Sequence, residues 1–312
     1  MNHIVEIENL TKDYEVGFWR KKKVRALDDL SLRVIPGQIF GFLGGNGAGK
    51  TTTIKILMSL LFPTSGTARI LGSDISDVSM HKRIGYCPEN PYFYDYLTAF
   101  ELMKYFGELS GLSSTARTRK ASDLLGRVGL NENDWNKQLR KFSKGMLQRV
   151  GIAQALVNDP EIVFFDEPMS GLDPIGRREI RELILELRQK GTTVFMSTHI
   201  LSDVEALCDE VAILRRGQLA ATGKLDELLT TRGEQQIYEV SLMNITAAQL
   251  AERYTIFSNP TGVTVHVNDE AEIETLLFEA RSAGGKLVSV QPLRQSLEEL
   301  FVERTETGSA DS

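Results

Sequence analysis

Cysteine is the residue that this sequence uses least, together with tryptophan. Its 312 residues include only two cysteines, Cys87 and Cys208, which lie far apart and without the spacing of metal ligands. This pattern argues against a disulfide framework and against a zinc site, and it is typical of a protein from a reducing compartment.

Long apolar runs are also missing. No run approaches the roughly 18 to 20 residues that a helix needs to cross a bilayer. The first residues carry Glu6, Glu8 and Lys12 where a signal peptide would need an apolar core. We therefore expect a cytoplasmic protein.

An excess of basic residues is the third absence. The net charge is −6 and the isoelectric point about 5.5, so the chain lacks the basic face that nucleic-acid binding requires, and we expect no nucleic-acid partner. The one basic segment is GFWRKKKVR, residues 17–25. It is interpreted either as a contact with anionic lipid headgroups or as a solvated insertion in a hairpin.

Glycine, in contrast, is concentrated at one place. Four glycines fall within the six positions 44–49, directly before Lys50 and Thr51. A packed core gains nothing from glycine, which buries no side chain and loses backbone entropy on ordering. The preceding residues read as a buried strand and the following ones as a helix, so the glycines lie on a strand-to-helix turn that indicates a ligand.

This context is that of a phosphate-binding loop (P-loop), whose pattern G-x-x-x-x-G-K-[ST] is filled by Gly44, Gly49, Lys50 and Thr51. Backbone N–H groups surround a phosphate, Lys50 reaches the terminal phosphates, and the Thr51 hydroxyl binds Mg²⁺. The sequence thus predicts a nucleoside triphosphate site. Its residues are Gly44, Gly45, Asn46, Gly47, Ala48, Gly49, Lys50, Thr51 and Thr52.

Strand and helix patterns alternate along the first part of the chain, which predicts an α/β domain with a mostly parallel sheet covered on both faces. After about residue 233 the segments predict the strand–helix–strand–strand–helix–strand order of a ferredoxin-like domain, with its first helix at TAAQLAERY, residues 246–254, and a final helix at SLEELFVERTE. The predicted parts are an ATP-binding domain at 4–232 with a helical subdomain at about 95–160, an accessory α+β domain at 233–306, and a flexible tail at 307–312.

Two carboxylates end a hydrophobic strand in the segment IVFFDEP. Asp166 and Glu167 would be costly there without a cationic partner, and the predicted P-loop puts Lys50 at a neighbouring strand end. Adjacent residues on a strand end point in different directions, so the two can divide two roles. We expect Asp166 to hold the Mg²⁺ shell and Glu167 to polarise the attacking water.

Together these residues resemble the nucleotide-binding subunit of ATP-binding cassette (ABC) transporters, over about residues 4–230. The resemblance implies a P-loop NTPase fold with a mostly parallel sheet, an antiparallel N-terminal β subdomain and a helical subdomain, beside the small C-terminal α+β domain. It also implies an ATPase that uses ATP and Mg²⁺ to power an integral membrane permease.

The segment FSKGMLQRVGIAQAL is similar to the family's signature, usually written LSGGQ-x-QR. Ser143 and Gly145 match it, whereas Phe142, Lys144 and Met146 depart from it. The resemblance implies that residues 143–146 meet the γ-phosphate held by a second copy of the chain, where Lys144 adds a cation. From the sequence alone, Ser143 is also an ordinary helix N-cap.

Three further residues match the family's motif order. The resemblance implies that Asp173 reaches across the dimer interface, that His199 contacts the γ-phosphate, and that Tyr14 stacks on adenine. Each also has a local structural interpretation. Asp173 before Pro174 is a favourable helix start, His199 ends a strand, and Tyr14 could simply pack.

Two positions depart from the family. Glu89 stands where the family has a glutamine that reaches Mg²⁺ and water, and a carboxylate there can bind the metal but adds negative charge beside Asp166 and Glu167. This leaves the rate of hydrolysis open. Gly45 stands where the family commonly has proline. The glycine should only make the loop more flexible.

The loop GYCPENPYFYDYLT and the extra C-terminal domain resemble bacterial type-2 ABC exporters, whose ATPase is a chain separate from its permease. The resemblance implies export, a homodimer, and a peripheral position on the inner face of the cell membrane. The loop aromatics would either receive the permease or pack the helical subdomain. They are Tyr92, Phe93, Tyr94 and Tyr96.

Two alternatives compete with transport. A soluble ABC ATPase acting on ribosomes or nucleic acid usually carries two cassettes or a long coiled coil, and this acidic chain has neither, nor a second phosphate loop. A non-hydrolysing binding subunit would fit Glu89 and the altered signature, but the retention of Glu167 and His199 speaks against it.

Overall fold

The computed structural model describes residues 3–17, 22–229, 237–251 and 253–292. The chain divides into two compact units, Met1–Leu225 and Asp226–Ser312. The predicted domain boundary at 232/233, the final helix after residue 292, the tail at 307–312 and residues 18–21 of the basic segment lie outside the described residues.

A six-stranded sheet forms the centre of the first unit, in the order β10-β9-β3-β8-β7-β6. All neighbours from β9 to β6 pair in parallel, and β10 is an antiparallel edge strand. Its strands are β3 (Ile39–Leu43), β6 (Ile84–Cys87), β7 (Ile162–Asp166), β8 (Thr193–Thr198), β9 (Glu210–Arg215) and β10 (Gln218–Lys224). The predicted mostly parallel sheet is confirmed.

The parallel strands β3, β7 and β8 are buried at every position, which explains why their sequences are continuous apolar runs rather than alternating ones. Phe195 lies at the centre of this core, with its ring centroid 5.3 Å from those of Phe40, Phe42 and Phe164. The packed rings hold β3, β7 and β8 side by side, and the loops that follow these strands are therefore fixed relative to one another.

Seven helices of this unit surround or extend the sheet within the described residues. They are α1 (Lys50–Leu57), α2 (Ala99–Leu109), α3 (Ser114–Arg127), α4 (Glu132–Trp135), α5 (Lys144–Ala155), α6 (Pro174–Gln189) and α7 (Leu201–Leu207); α8 (Leu225–Leu229) follows at the boundary of the two units. The predicted capping box at the start of α2 is present, because Thr98 and Glu101 satisfy each other's backbone N–H groups. Helices α2 to α5 make up the helical subdomain.

A separate antiparallel sheet has the order β2-β1-β4-β5, which confirms the N-terminal β subdomain. Its strands are β1 (Val5–Val16), β2 (Lys22–Val34), β4 (Ser65–Ile70) and β5 (Ser73–Asp74). The hairpin of β9 and β10 turns at Arg216 and Gly217, as predicted, and both residues have the positive φ that this tight turn requires.

The second unit contains a four-stranded antiparallel sheet in the order β12-β13-β11-β14. Its elements are β11 (Tyr238–Met243), β12 (Thr255–Asn259), β13 (Gly262–Val267), α9 (Glu270–Ser282) and β14 (Lys286–Pro292). This is the strand order of the predicted ferredoxin-like domain.

The prediction of a helix at residues 246–254 was wrong. Among residues 246–251 and 253–254, which the structure describes, the only helical element is a 3₁₀ turn at Ala247–Gln249, and Leu250 returns to extended backbone with φ −110° and ψ 159°. Gln249 Oε1 accepts hydrogen bonds from the Thr246 N–H, at 2.9 Å, and from the Thr246 hydroxyl, at 3.0 Å, within this single turn. A segment of nine residues forms a helix only where tertiary packing stabilises it.

In the part of the chain that the structure describes, no helix is long and apolar enough to span a bilayer. Cys87 and Cys208 are free thiols and both are buried. Burial raises the pKa of each thiol above its ordinary value, so both stay neutral.

Candidate functional site

The carboxyl ends of four parallel strands meet at one edge of the central sheet. Strand β3 leads into the P-loop, β8 into His199, β7 into Glu167 and β6 into the loop that carries Glu89. Because β3, β8, β7 and β6 are neighbours in the sheet, residues far apart in sequence are brought to one place.

The P-loop glycines differ in whether the structure requires a glycine at their position. Gly49 has φ +112°, and a Cβ there would lie 2.6 Å from Leu27 Cδ2 and 2.8 Å from the Ala26 carbonyl oxygen. Gly44 is packed equally closely, against Ala48 and the Leu214 carbonyl. Gly45 has neither a positive φ nor any atom within 4 Å of a built Cβ, so this position does not require glycine.

This difference predicts opposite effects of two alanine substitutions. We expect Gly45→Ala to leave the free energy of unfolding unchanged or to raise it by up to about 1 kcal/mol, because it restricts the unfolded chain. We expect Gly49→Ala to lower it by more than about 1 kcal/mol through backbone strain and steric overlap. Urea unfolding of both variants checks this, and equal effects of the two would contradict it.

Lys50 is buried at the start of α1, where its ammonium group is surrounded by oxygen atoms. Its Nζ donates to the carbonyl oxygens of Gly44, at 2.6 Å, and Gly45, at 3.4 Å, and lies 3.6 Å from Glu167 Oε1. The charge is therefore compensated in the protein without a ligand, and a phosphate would exchange these contacts for its own oxygens.

Glu167 follows β7 in a left-handed backbone conformation, with φ +52°. This conformation is uncommon for a residue other than glycine, and it turns the side chain away from the strand direction. Its Oε1 atom lies 2.9 Å from His199 Nδ1 in addition to the Lys50 contact. Glu167 is buried, whereas His199 is exposed, and both line the same cavity.

Asp166 is buried at the end of β7. One carboxylate oxygen, Oδ1, accepts a hydrogen bond of 2.5 Å from the Ser197 hydroxyl. The other, Oδ2, is buried and accepts no hydrogen bond from the described residues. Burial, together with the Asp166 charge, raises the pKa of Tyr86 and of the Cys87 thiol, so both neighbours remain protonated.

One cavity of about 320 Å³ joins most of the predicted residues. It is lined by Ala26, Gly45, Asn46, Gly47, Ala48, Gly49, Lys50, Thr51, Thr52, Glu89, Glu167, Ser170 and His199. Asp166 and Gly44 lie behind this surface and do not line it. A larger cavity of about 430 Å³ lies at the amino ends of the strands and contains none of the predicted residues.

The residues at the cavity offer hydroxyl and carboxylate oxygens, which fit Mg²⁺ in the way that a P-loop binds it together with a phosphate. Thr51 and Glu89 line the cavity, and the unpartnered Asp166 Oδ2 lies buried beside it. No group of three His, Cys, Asp or Glu side chains that could hold a metal occurs among the described residues.

The signature residues do not line this cavity. Ser143 caps α5 by accepting a hydrogen bond from the Met146 N–H at 3.2 Å, so its local interpretation is correct. A Cβ at Gly145 would lie 2.8 Å from the Gly171 carbonyl oxygen, and the stem of Lys144 covers Gly171. The N-terminus of α5 is thus packed against the loop that precedes Asp173.

Asp173 caps α6 by accepting from the Gly176 N–H at 2.9 Å, and Pro174 occupies the first turn, as its local interpretation predicts. Tyr14 lies at the edge of the site, with its hydroxyl 3.4 Å from Thr52 Oγ1 and Lys12 Nζ 5.4 Å from its ring centroid. Tyr14 does not line the cavity.

The loop aromatics are mostly at the surface. Tyr92, Tyr94 and Tyr96 are exposed by 96%, 55% and 61%, respectively. Tyr94 contacts Tyr96, with ring centroids 5.9 Å apart, and Tyr105 on helix α2, with ring centroids 6.4 Å apart. Packing against the helical subdomain therefore involves Tyr94 in part, and Tyr92 is almost fully exposed.

Sequence reasoning missed Ala26, Ser170 and Ser197. Ala26 and Ser170 reach the cavity only through tertiary packing. Ser197 had a signal, since a polar residue at the end of an apolar strand and two positions before His199 needs a buried partner.

The fold and the site define a P-loop nucleoside triphosphatase. The sequence profile of the ABC transporter family matches residues 27–170. An uncharacterized ABC transporter ATP-binding protein of Synechocystis sp. is 44% identical over 301 residues, which cover 96% of this chain and 84% of the relative.

Two further similarities point the same way. The bacitracin transport ATP-binding protein BcrA of Enterococcus faecalis is 33% identical over 307 residues, or 96% of each chain. The dimeric structure of the ATP-binding cassette MJ0796, bound to ADP and Pi, superimposes with a TM-score of 0.66 and 28% identity over 71% of this chain and 98% of that chain. The chain belongs to the ATP-binding proteins of ABC transporters and is an ATPase.

Proposed function

We propose that this ATPase dimerises on MgATP and powers an integral membrane permease, in the direction of export. The observation that carries the proposal is that Lys50, Glu167 and His199 line one cavity together with the P-loop. The similarity to a bacitracin transport ATP-binding protein over nearly the whole chain supports a role in transport.

In this proposal the P-loop backbone and Lys50 bind the phosphates of ATP. Thr51, Glu89 and Asp166 would hold Mg²⁺, which would neutralise phosphate charge. Glu167 accepts a proton from the attacking water, and His199 orients the Glu167 carboxylate through the 2.9 Å contact and faces the γ-phosphate. Tyr14 borders the nucleotide base.

The second half of the site comes from another copy of the chain. Ser143, Lys144, Gly145 and Met146 lie away from the chain's own cavity, at the exposed N-terminus of α5, where backbone N–H groups favour an anion. We propose that they contact the γ-phosphate held by the partner copy, with Asp173 at the interface. The dimeric structure of a related ATP-binding cassette supports this arrangement.

The exposed residues Tyr92, Tyr94 and Tyr96 follow the loop that carries Glu89. We propose that they bind the permease, because exposed aromatic side chains are typical of protein interfaces. The ATPase would then lie on the inner face of the cell membrane, and movement of the Glu89 loop would connect nucleotide state to the permease.

Affinity purification of the tagged chain from detergent-solubilised native membranes, with MgATP or EDTA, tests this proposal. We expect a stoichiometric multi-span membrane protein, identified by mass spectrometry, and loss of that protein on combined Tyr92→Ala, Tyr94→Ala and Tyr96→Ala substitution. Recovery of ribosomal or DNA-bound proteins without a membrane protein would contradict the transport assignment.

Glu89 provides a prediction about the site's charge. We expect Glu89→Gln to increase affinity for metal-free ATP about 5-fold, because it removes a negative charge that faces the phosphate cavity. Titration of ATP in EDTA measures this. Glu132→Gln, an exposed carboxylate on α4, is the control and should have no effect.

A further inference from the structure

Ser197 is the next-to-last residue of strand β8, before Thr198, and is fully buried. Its Cα pairs with that of Asp166 on β7. Ser197 also lies two positions before His199 in the sequence.

The Ser197 hydroxyl makes two hydrogen bonds of different kinds. It donates its one hydrogen to Asp166 Oδ1 at 2.5 Å, and it accepts from the Glu167 backbone N–H at 3.2 Å. The same N–H also donates to the Ser197 carbonyl oxygen at 3.1 Å. Because no surface of Ser197 is accessible to water, both bonds depend on this one side chain.

One of these bonds acts on the Asp166 carboxylate and the other on the Glu167 backbone. The bond to Oδ1 fixes the rotation of the Asp166 carboxylate and leaves Oδ2 without a partner among the described residues. The bond to the Glu167 N–H supports the backbone where φ is +52°, a conformation that surrounding contacts must maintain. One hydroxyl thereby orients the Asp166 carboxylate, which is proposed to bind Mg²⁺, and supports the backbone of Glu167, which is the proposed base.

We propose that Ser197 is a positioning residue for MgATP hydrolysis, which orients the Asp166 carboxylate and the Glu167 backbone. This inference rests on the roles given to Asp166 and Glu167 in the proposed function. Pairing of β7 with β8 does not require it, because the strands are joined by backbone hydrogen bonds that every residue type can make.

The test compares Ser197→Ala and Ser197→Thr with Thr193→Val in the full chain. Thr193 is the matched control, because it is also fully buried on β8, and its hydroxyl accepts from the Gly37 N–H at 2.8 Å at the opposite end of the strand. Three quantities are measured for each variant: the Mg²⁺ concentration at half-maximal turnover, kcat, and ATP affinity in EDTA. Thermal unfolding reports stability.

We expect Ser197→Ala to raise the Mg²⁺ half-saturation and to lower kcat, each by roughly 10- to 100-fold, as for other residues that orient metal ligands. ATP affinity in EDTA should stay within about 2-fold, since the P-loop is untouched, and Ser197→Thr should restore most of the loss. Thr193→Val should lower the unfolding temperature but leave the Mg²⁺ half-saturation unchanged.

A Ser197→Ala variant that loses stability like Thr193→Val, but keeps the wild-type Mg²⁺ half-saturation and kcat, would overturn the inference. If that variant does not fold, Ser197→Cys keeps the packing with a weaker hydrogen bond, and a wild-type Mg²⁺ dependence there would overturn it equally. Asp166→Asn separates this from the proposed function. A higher Mg²⁺ concentration at half-maximal turnover in Asp166→Asn supports the metal role of Asp166, whatever the Ser197 variants show. An unchanged concentration overturns that role.

Discussion

Glu167→Gln is expected to lower the ATP turnover rate at least about 10²-fold while MgATP binding stays within a few-fold. The amide has nearly the shape of the carboxylate but cannot accept a proton from water. It also loses the charge that faces Lys50 Nζ at 3.6 Å and His199 Nδ1 at 2.9 Å. Steady-state phosphate release measures turnover, and equilibrium titration measures binding.

The control for Glu167→Gln is a glutamate at the other end of the same strand. Glu161 precedes β7, is exposed, and pairs with Arg83 at the amino end of the sheet. Glu161→Gln removes the same charge from the same region and should leave turnover unchanged, since surface ion pairs contribute little. Wild-type turnover in Glu167→Gln would mean that another group accepts the proton.

The P-loop could be predicted from the sequence because its determinants are local. The motif is continuous in the sequence, from the strand through the glycines and Lys50 to the helix. Two helix caps and one turn were predictable for the same reason, because each depends on contacts between residues at most four positions apart. They are the caps Thr98 and Asp173 and the turn at Arg216 and Gly217.

The contacts within the site were not predictable in this way. Ser197 is 31 residues from Asp166, and only the parallel register of β7 and β8 brings the two together. The left-handed backbone of Glu167 has no glycine or asparagine to indicate it. A stretch of helix-forming residues, in contrast, misled the prediction at 246–254, because propensity cannot maintain a helix of that length alone.

Lys50→Met is expected to weaken MgATP binding at least about 10²-fold and to remove hydrolysis. Methionine keeps the length of the buried stem but has no charge for the terminal phosphates. It also leaves the Gly44 and Gly45 carbonyls without the ammonium that they accept from, which costs about 1–3 kcal/mol of stability. Weaker binding and lower stability must therefore be measured separately.

Thermal unfolding with and without MgATP separates the two effects of Lys50→Met. At a ligand concentration about 100 times its dissociation constant, the wild-type protein gains about 2.7 kcal/mol, whereas a variant that binds 100-fold more weakly gains only about 0.4 kcal/mol. Lys55→Met, an exposed lysine on the same helix α1, should keep the full gain. A Lys50→Met variant with a lower unfolding temperature but the full gain from MgATP would show that Lys50 supports the loop and not the phosphates.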